Sequence, residues 1–222
     1  MHILLPPHQL TPEAPPLEAG VVDPGYAACI ERVEKNVEDG RKAAAQWAAD
    51  TGRAPALHCL AVADLAAGYP KVAAIRLDEL GGRDDAGDAF VRARIYSQAA
   101  LSWLEADRPD LAEKSIDAAF ALAPEAGEIY LAAAKMHWAK QELQATIDAV
   151  TAAEEKGFTS ADAYVLRGRA LHALARDREA ADDVVAALTL DPRNLDALVL
   201  RGDLYAAGIK IDAHYRIGEK GD

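Results

Sequence analysis

Aromatic residues make up 6% of the chain, and β-branched residues are sparse beside alanine, leucine, glutamate, aspartate and arginine. That shortage argues against a substantial sheet and predicts helix almost throughout. Positive charge is also short: 24 lysines and arginines face 36 acidic residues, for a net charge of −12. Such a surface repels phosphate backbones and anionic lipid, so neither nucleic acid nor a membrane surface is an expected partner. The two cysteines, Cys29 and Cys59, fit no metal-ligand spacing and are too few for a disulfide framework. They are expected as reduced, small, buried side chains, with no bond between them, because packed helix axes lie about 8–10 Å apart and a disulfide needs Cα atoms within about 7 Å. Long apolar runs are missing: Ile3, Leu4 and Leu5 stop at Pro6-Pro7, too short for a signal peptide, and nothing later approaches a membrane span. A soluble, cytoplasmic protein is the expectation; a periplasmic or secreted one whose native leader had been removed would read the same way. Half of the 222 residues are apolar, enough to build a packed core.

Catalytic patterns are missing too. No G-x-S-x-G, Gly-rich phosphate loop, H-E-x-x-H or C-x-x-C occurs. His58 adjoins Cys59, but neighbours on a helix point about 100° apart and do not form a Cys–His pair. Three carboxylates, Asp84, Asp85 and Asp88, sit in GGRDDAGD. Their spacing is not that of a calcium-binding EF-hand loop, and a solvated insertion is the expectation. No enzyme activity, cofactor or metal is assigned.

What the chain does have is self-similarity. Two proline echoes, FALAPEA at 120–126 and LTLDPRN at 188–194, fall into a 34-residue frame. With Ala93, Gly127, Ala161 and Leu195 as first positions, the fourth are Tyr96, Tyr130, Tyr164 and Leu198, and the eighth are Ala100, Ala134, Gly168 and Gly202. The eleventh are Trp103, His137, Leu171 and Tyr205; the twentieth are Ala112, Thr146 and Ala180; the twenty-seventh are Ala119, Ala153 and Ala187. Pro124, Phe158 and Pro192 occupy position 32. Small residues thus recur where helices must approach closely, and bulky ones where they must fill space. His137, at a bulky position, is expected to be structural.

This pattern resembles the tetratricopeptide repeat, most closely over 161–194. Upstream the frame continues with adjusted lengths from Pro24 and Ala54. The expectation is an all-α solenoid of helix–turn–helix repeats, a right-handed superhelix, spanning 23–217. Its hairpins fall near 24–53, 54–87, 93–126, 127–160, 161–194 and 195–217, between a proline-rich extended tail, 1–22, and a C-terminal tail, 218–222. Because one hairpin cannot bury both apolar faces, each must pack on the next.

The resemblance implies a non-catalytic scaffold that binds a protein or peptide segment on a concave wall lined by first helices. The positions that touch peptides in this family carry here Arg94, Ser97, Leu101, Leu131, Lys135, Trp138, Arg169 and His172. Lys135 with Trp138, and Arg169 with His172, are cation–ring pairs at i,i+3, repeated one unit apart; such pairs suit an acidic or C-terminal peptide group. A second reading stands beside this one. Glu128 and Asp162, seven residues before those bases on the same face, would neutralise them. The asparagine and lysine set by which chaperone-binding members clamp a terminal carboxylate does not appear. Two further functional readings remain open: self-association through the last hairpin, whose weak second helix carries Ile209, Ile211, Tyr215 and Ile217, and a regulatory role in a larger enzyme complex.

Overall fold

A computed structural model describes residues 23–212. Both tails, and Tyr215 and Ile217 of the last hairpin, lie outside those residues. Eleven α-helices and no strand occur among the described residues. They group into two units that divide after Leu122. In the first, α1 (Pro24–Lys35), α2 (Val37–Thr51), α3 (Ala54–Ala66), α4 (Pro70–Gly81), α5 (Ala89–Glu105) and α6 (Pro109–Leu122) form three hairpins. In the second, α7 (Gly127–Ala139) pairs with α8 (Leu143–Glu155), α9 (Ala161–Ala173) pairs with α10 (Asp177–Leu190), and α11 (Leu195–Ala206) packs on α9 and α10. Within each unit, successive hairpins stack as in an α-solenoid.

Local chemistry sets the helix ends. Side chains of Asp23, Asn36, Asp88, Ser160 and Asn194 accept hydrogen bonds from the first free backbone amides of α1, α2, α5, α9 and α11. Prolines open α1, α4 and α6, where no intrahelical amide is lost. The turns that follow α3, α5, α7, α9 and α11 each pass through one left-handed residue. After α3 and α11 it is a glycine, Gly68 or Gly208; after the other three it carries a β-carbon: Asp107, Gln141 and Ala175, with φ of 57°, 61° and 56°. Ala175 has neither the freedom of glycine nor a side chain to bond its own backbone, so it holds that conformation at a cost of about 1 kcal/mol.

The small repeat positions are where the helices meet. Ala100, Ala134, Ala112, Thr146, Ala180, Ala119, Ala153 and Ala187 are all fully buried. A β-carbon on Gly168 would stand 3.0 Å from Leu200 Cδ2, 3.3 Å from Asp183 Cβ and 3.4 Å from the Ala180 carbonyl. That glycine is where α9, α10 and α11 converge.

Carboxylates, two of them (Asp64 and Asp183) buried, tie the hairpins laterally. In the first unit, Asp64 on α3 is fully buried; Arg41 Nε of α2 donates to its Oδ1 at 2.6 Å and Arg76 Nε of α4 to its Oδ2 at 2.7 Å. Asp78 on α4 accepts from Trp103 Nε1 of α5 and from Ser115 Oγ of α6, both at 2.6 Å. In the second unit, Arg167 on α9 grips Asp183 of α10 through Nε and Nη2, and reaches Glu154 and Thr151 of α8 through Nη1. Buried Asp64 and Asp183 would be costly unpaired, and each is paired.

The cysteines correct the sequence expectation. Cys29 and Cys59 form a disulfide joining α1 to α3. The separation of about 8–10 Å that argued against it holds between helix axes. Cα atoms stand about 2.3 Å off those axes, so two positions that both face the interface come closer. Here the Cα atoms are 6.4 Å apart, within reach of a disulfide. Next to it, buried His58 bridges three helices: Nδ1 meets Tyr26 Oη at 2.8 Å and Nε2 meets Gln98 Oε1 at 2.7 Å. Burial lowers the His58 pKa and pushes Tyr26 up to about 12.

The acidic loop is internally committed. Asp84 pairs with Arg92, Asp85 with Arg83, and Asp88 caps α5. Residues 209–212, placed by the sequence reading in a second helix, are not helical. Ile209 and Ile211 instead fold against the cluster around Leu200 and Leu204.

Candidate functional site

The expected peptide-contacting residues divide between the units. In the first, all are on α5. Arg94 lies over the Phe90 ring at 5.8 Å, and Leu101 is half-buried. Ser97 is buried, and its hydroxyl donates to the Ala93 carbonyl of its own helix at 3.1 Å.

In the second unit, α7 presents Leu131, Lys135 and Trp138, each half-buried. Leu131 and Trp138 pack on the cluster of Ala134, Val150, Ala163 and Leu166. Lys135 lies between them along the helix, with no hydrogen-bonded acid among the described residues. Burial lowers its pKa, and the field of Asp162 on α9 opposes that shift. Arg169 on α9 donates from Nη2 to Asp196 of α11 at 2.6 Å. Asp162 also accepts from the amide of Asn194 at 3.2 Å. His172 Nδ1 meets Asp177 at 2.6 Å, and His137 Nδ1 meets Glu142 at 2.7 Å. In both hairpins a histidine in the last turn of the first helix is thus fixed by an acid five residues on.

The neutralising acids come from the next hairpin rather than from the same helix. A base at repeat position 9 faces an acid at position 2 of the following hairpin, 27 residues on: Arg169 bonds Asp196, and Lys135 feels Asp162. Sequence reasoning looked along one helix, where seven residues span about 10.5 Å. The spacing of 27 was the signal that would have found the partners. The clamp of Arg41 and Arg76 on Asp64 was likewise missed.

Among the described residues from Leu195 on, the exposed large apolar side chains are on α11, at Leu195, Val199 and Tyr205, while Ile209 and Ile211 are half-buried. Among the described residues no group of histidine, cysteine and carboxylate side chains is placed to hold a metal, and no helix is long and apolar enough to cross a membrane.

No family model and no curated protein matches the sequence. Solved structures do. TTC0263, a thermophilic TPR protein in Thermus thermophilus, superposes with a TM-score of 0.63 at 14% identity, over 82% of this chain and 97% of that one. MamA 41-end from Desulfovibrio magneticus RS-1 gives 0.59 at 16% identity, over 77% and 95%. YrrB, described as a TPR protein with an unusual peptide-binding site, gives 0.55 at 14% identity, over 83% and 100%. Identities this low speak for the fold alone, and they agree with the 34-residue frame, the small-residue contacts and the stacked hairpins: this chain has the tetratricopeptide-repeat fold.

Proposed function

We propose that the chain is a non-catalytic interaction scaffold whose second unit holds a partner segment along the first-helix face of α7, α9 and α11. The observation that carries this reading is the half-buried strip Leu131–Lys135–Trp138, in which a cation without a hydrogen-bonded acid among the described residues lies between two apolar anchors. Leu131 and Trp138 supply contact area, and the aromatic ring is well suited to an anchor. Lys135, lowered in pKa by burial, gains most from an incoming carboxylate, which restores the charged form's partner in a dry setting. Arg169, held by Asp196 through Nη2, orients the segment with its remaining nitrogens, and His172 borders it. The peptide-binding site in the description of YrrB is consistent with this use of the fold, and fold alone does not assign function. The Cys29–Cys59 bond supports an oxidising compartment for the chain rather than the cytoplasm.

The test is selection of peptides from a displayed library on the full chain, followed by affinity measurement. Trp138→Ala and Lys135→Gln are each expected to weaken a selected acidic peptide at least about tenfold, equivalent to about 1.4 kcal/mol. Exposed Lys114→Gln serves as control. Peptides that bind all four proteins alike would overturn the assignment.

A second reading has its own observation. Leu195, Val199 and Tyr205 leave an apolar surface on α11, which favours self-association through that helix. Light scattering on the wild type and on Val199→Glu would show a dimer lost in the variant if that surface pairs, and monomers in both if it does not.

A further inference from the structure

The start of α4 gathers features that the function proposed above does not use. Tyr69, Val72 and Ile75 are 49%, 37% and 41% exposed, a concentration of solvent-facing apolar side chains within seven residues. Arg76 shares their side of the helix, since positions 69, 72, 75 and 76 fall within about 120° of arc. Arg41 reaches across from α2 and lies over the Tyr69 ring at 4.7 Å.

Both arginines are fixed from below. Asp64 takes the Nε of each, one per carboxylate oxygen, and is itself fully buried. Holding a buried carboxylate needs no more than those two bonds. The Nη groups of Arg41 and Arg76 make no further hydrogen bond among the described residues, and their side chains are 35% and 37% exposed. Arg167 behaves differently: its Nε and both Nη groups are engaged, and its side chain is only 15% exposed. Two guanidiniums on one carboxylate carry a net charge of +1 in a chain of net charge −12. Glu38, whose field also acts on Arg41, already pairs with Lys42.

We propose that this patch of the first unit is a docking surface for a protein segment presenting one acidic side chain between apolar ones. The carboxylate spans the outward Nη groups of Arg41 and Arg76, and its apolar neighbours cover Tyr69, Val72 and Ile75. Preset guanidiniums lose little freedom on binding, and planar Nη pairs match a carboxylate. Charge selects a carboxylate over a phosphate ester: one negative charge neutralises the triad, whereas a phosphate at about −1.5 to −2 leaves an excess on an already acidic protein.

The side-chain Nε–H NMR signals of the full chain, titrated with the capped pentapeptide Ala-Leu-Glu-Leu-Ala, test this directly. Saturable shifts of Arg41 and Arg76 are expected, with binding at least about tenfold weaker for the glutamine counterpart and for inorganic phosphate. Arg76→Gln, which leaves the Arg41–Asp64 pair in place, should weaken the glutamate peptide at least about fivefold, and Arg76→Lys should recover part of that loss. Equal binding of the glutamate and glutamine peptides overturns the proposal, as does phosphate bound as tightly as the peptide. Shifts of the same signals on simple dilution of the protein would assign the patch to a second copy and overturn it too. The wild-type comparison of the two peptides decides the matter even if Arg76→Gln fails to fold.

Discussion

The two units solve the same packing problem with different means. The second keeps the 34-residue frame without interruption and is held by small residues at fixed positions, the Arg167 network, and base–acid contacts passed from one hairpin to the next. The first departs from the frame, with an acidic insertion and shifted hairpin lengths, and is fastened by particular devices: the disulfide, the doubly clamped Asp64, the His58 bridge and the Asp78 junction. Regular repetition lets the same small contact serve at every joint. Where repetition lapses, each joint needs its own fastening, and losing one costs more than losing one small contact.

That contrast can be broken at its strongest point first. Asp64→Ala removes two charge-assisted hydrogen bonds whose guanidiniums are each about one-third exposed, so the charges left behind are solvated, and the first unit is expected to lose about 3 kcal/mol. Denaturant unfolding followed by amide hydrogen exchange would show protection lost in α2–α4 and retained in α9 and α10. Reducing the disulfide, or replacing both cysteines with serine, frees a link between residues 30 apart in sequence and is expected to remove about 3 kcal/mol from the same unit. Calorimetry with and without reductant measures this, and an unchanged first unit would show that the bond is incidental to its stability. In the second unit, Gly168→Leu drives a large side chain into Leu200, Asp183 and the Ala180 carbonyl and should cost about 1–3 kcal/mol. The smallest effect has the opposite sign. Ala175→Gly relieves the left-handed turn of the α9–α10 hairpin and should stabilise the second unit by about 0.5–1 kcal/mol, visible as a raised Tm.

The sequence carried the helical repeat because small residues at positions 8, 20 and 27 are forced by backbone proximity, and that force leaves a period. Lys135, Trp138 and Leu131 were legible as neighbours because residues three and four apart share one face of a helix. What it hid depends on distances across helices. Cys29 and Cys59 looked too far apart because axis separation overstates the gap between inward-facing Cα atoms. Ser97 looked available because position alone does not show that its hydroxyl turns back to Ala93. Asp64 gave no warning, since its two arginines come 23 residues before it and 12 after, and no short-range pattern joins three helices.

The links between hairpins in the second unit have a consequence for how such a chain can change its length. The segment 161–194 brings Asp162 to receive the preceding base and Arg169 to meet the following acid. A tandem copy of it would therefore arrive with both ends matched, and its deletion would rejoin Lys135 to Asp196 in the same alignment. At those two repeat positions, gaining or shedding the module leaves no base or acid unmatched, so this relay does not fix the number of hairpins there.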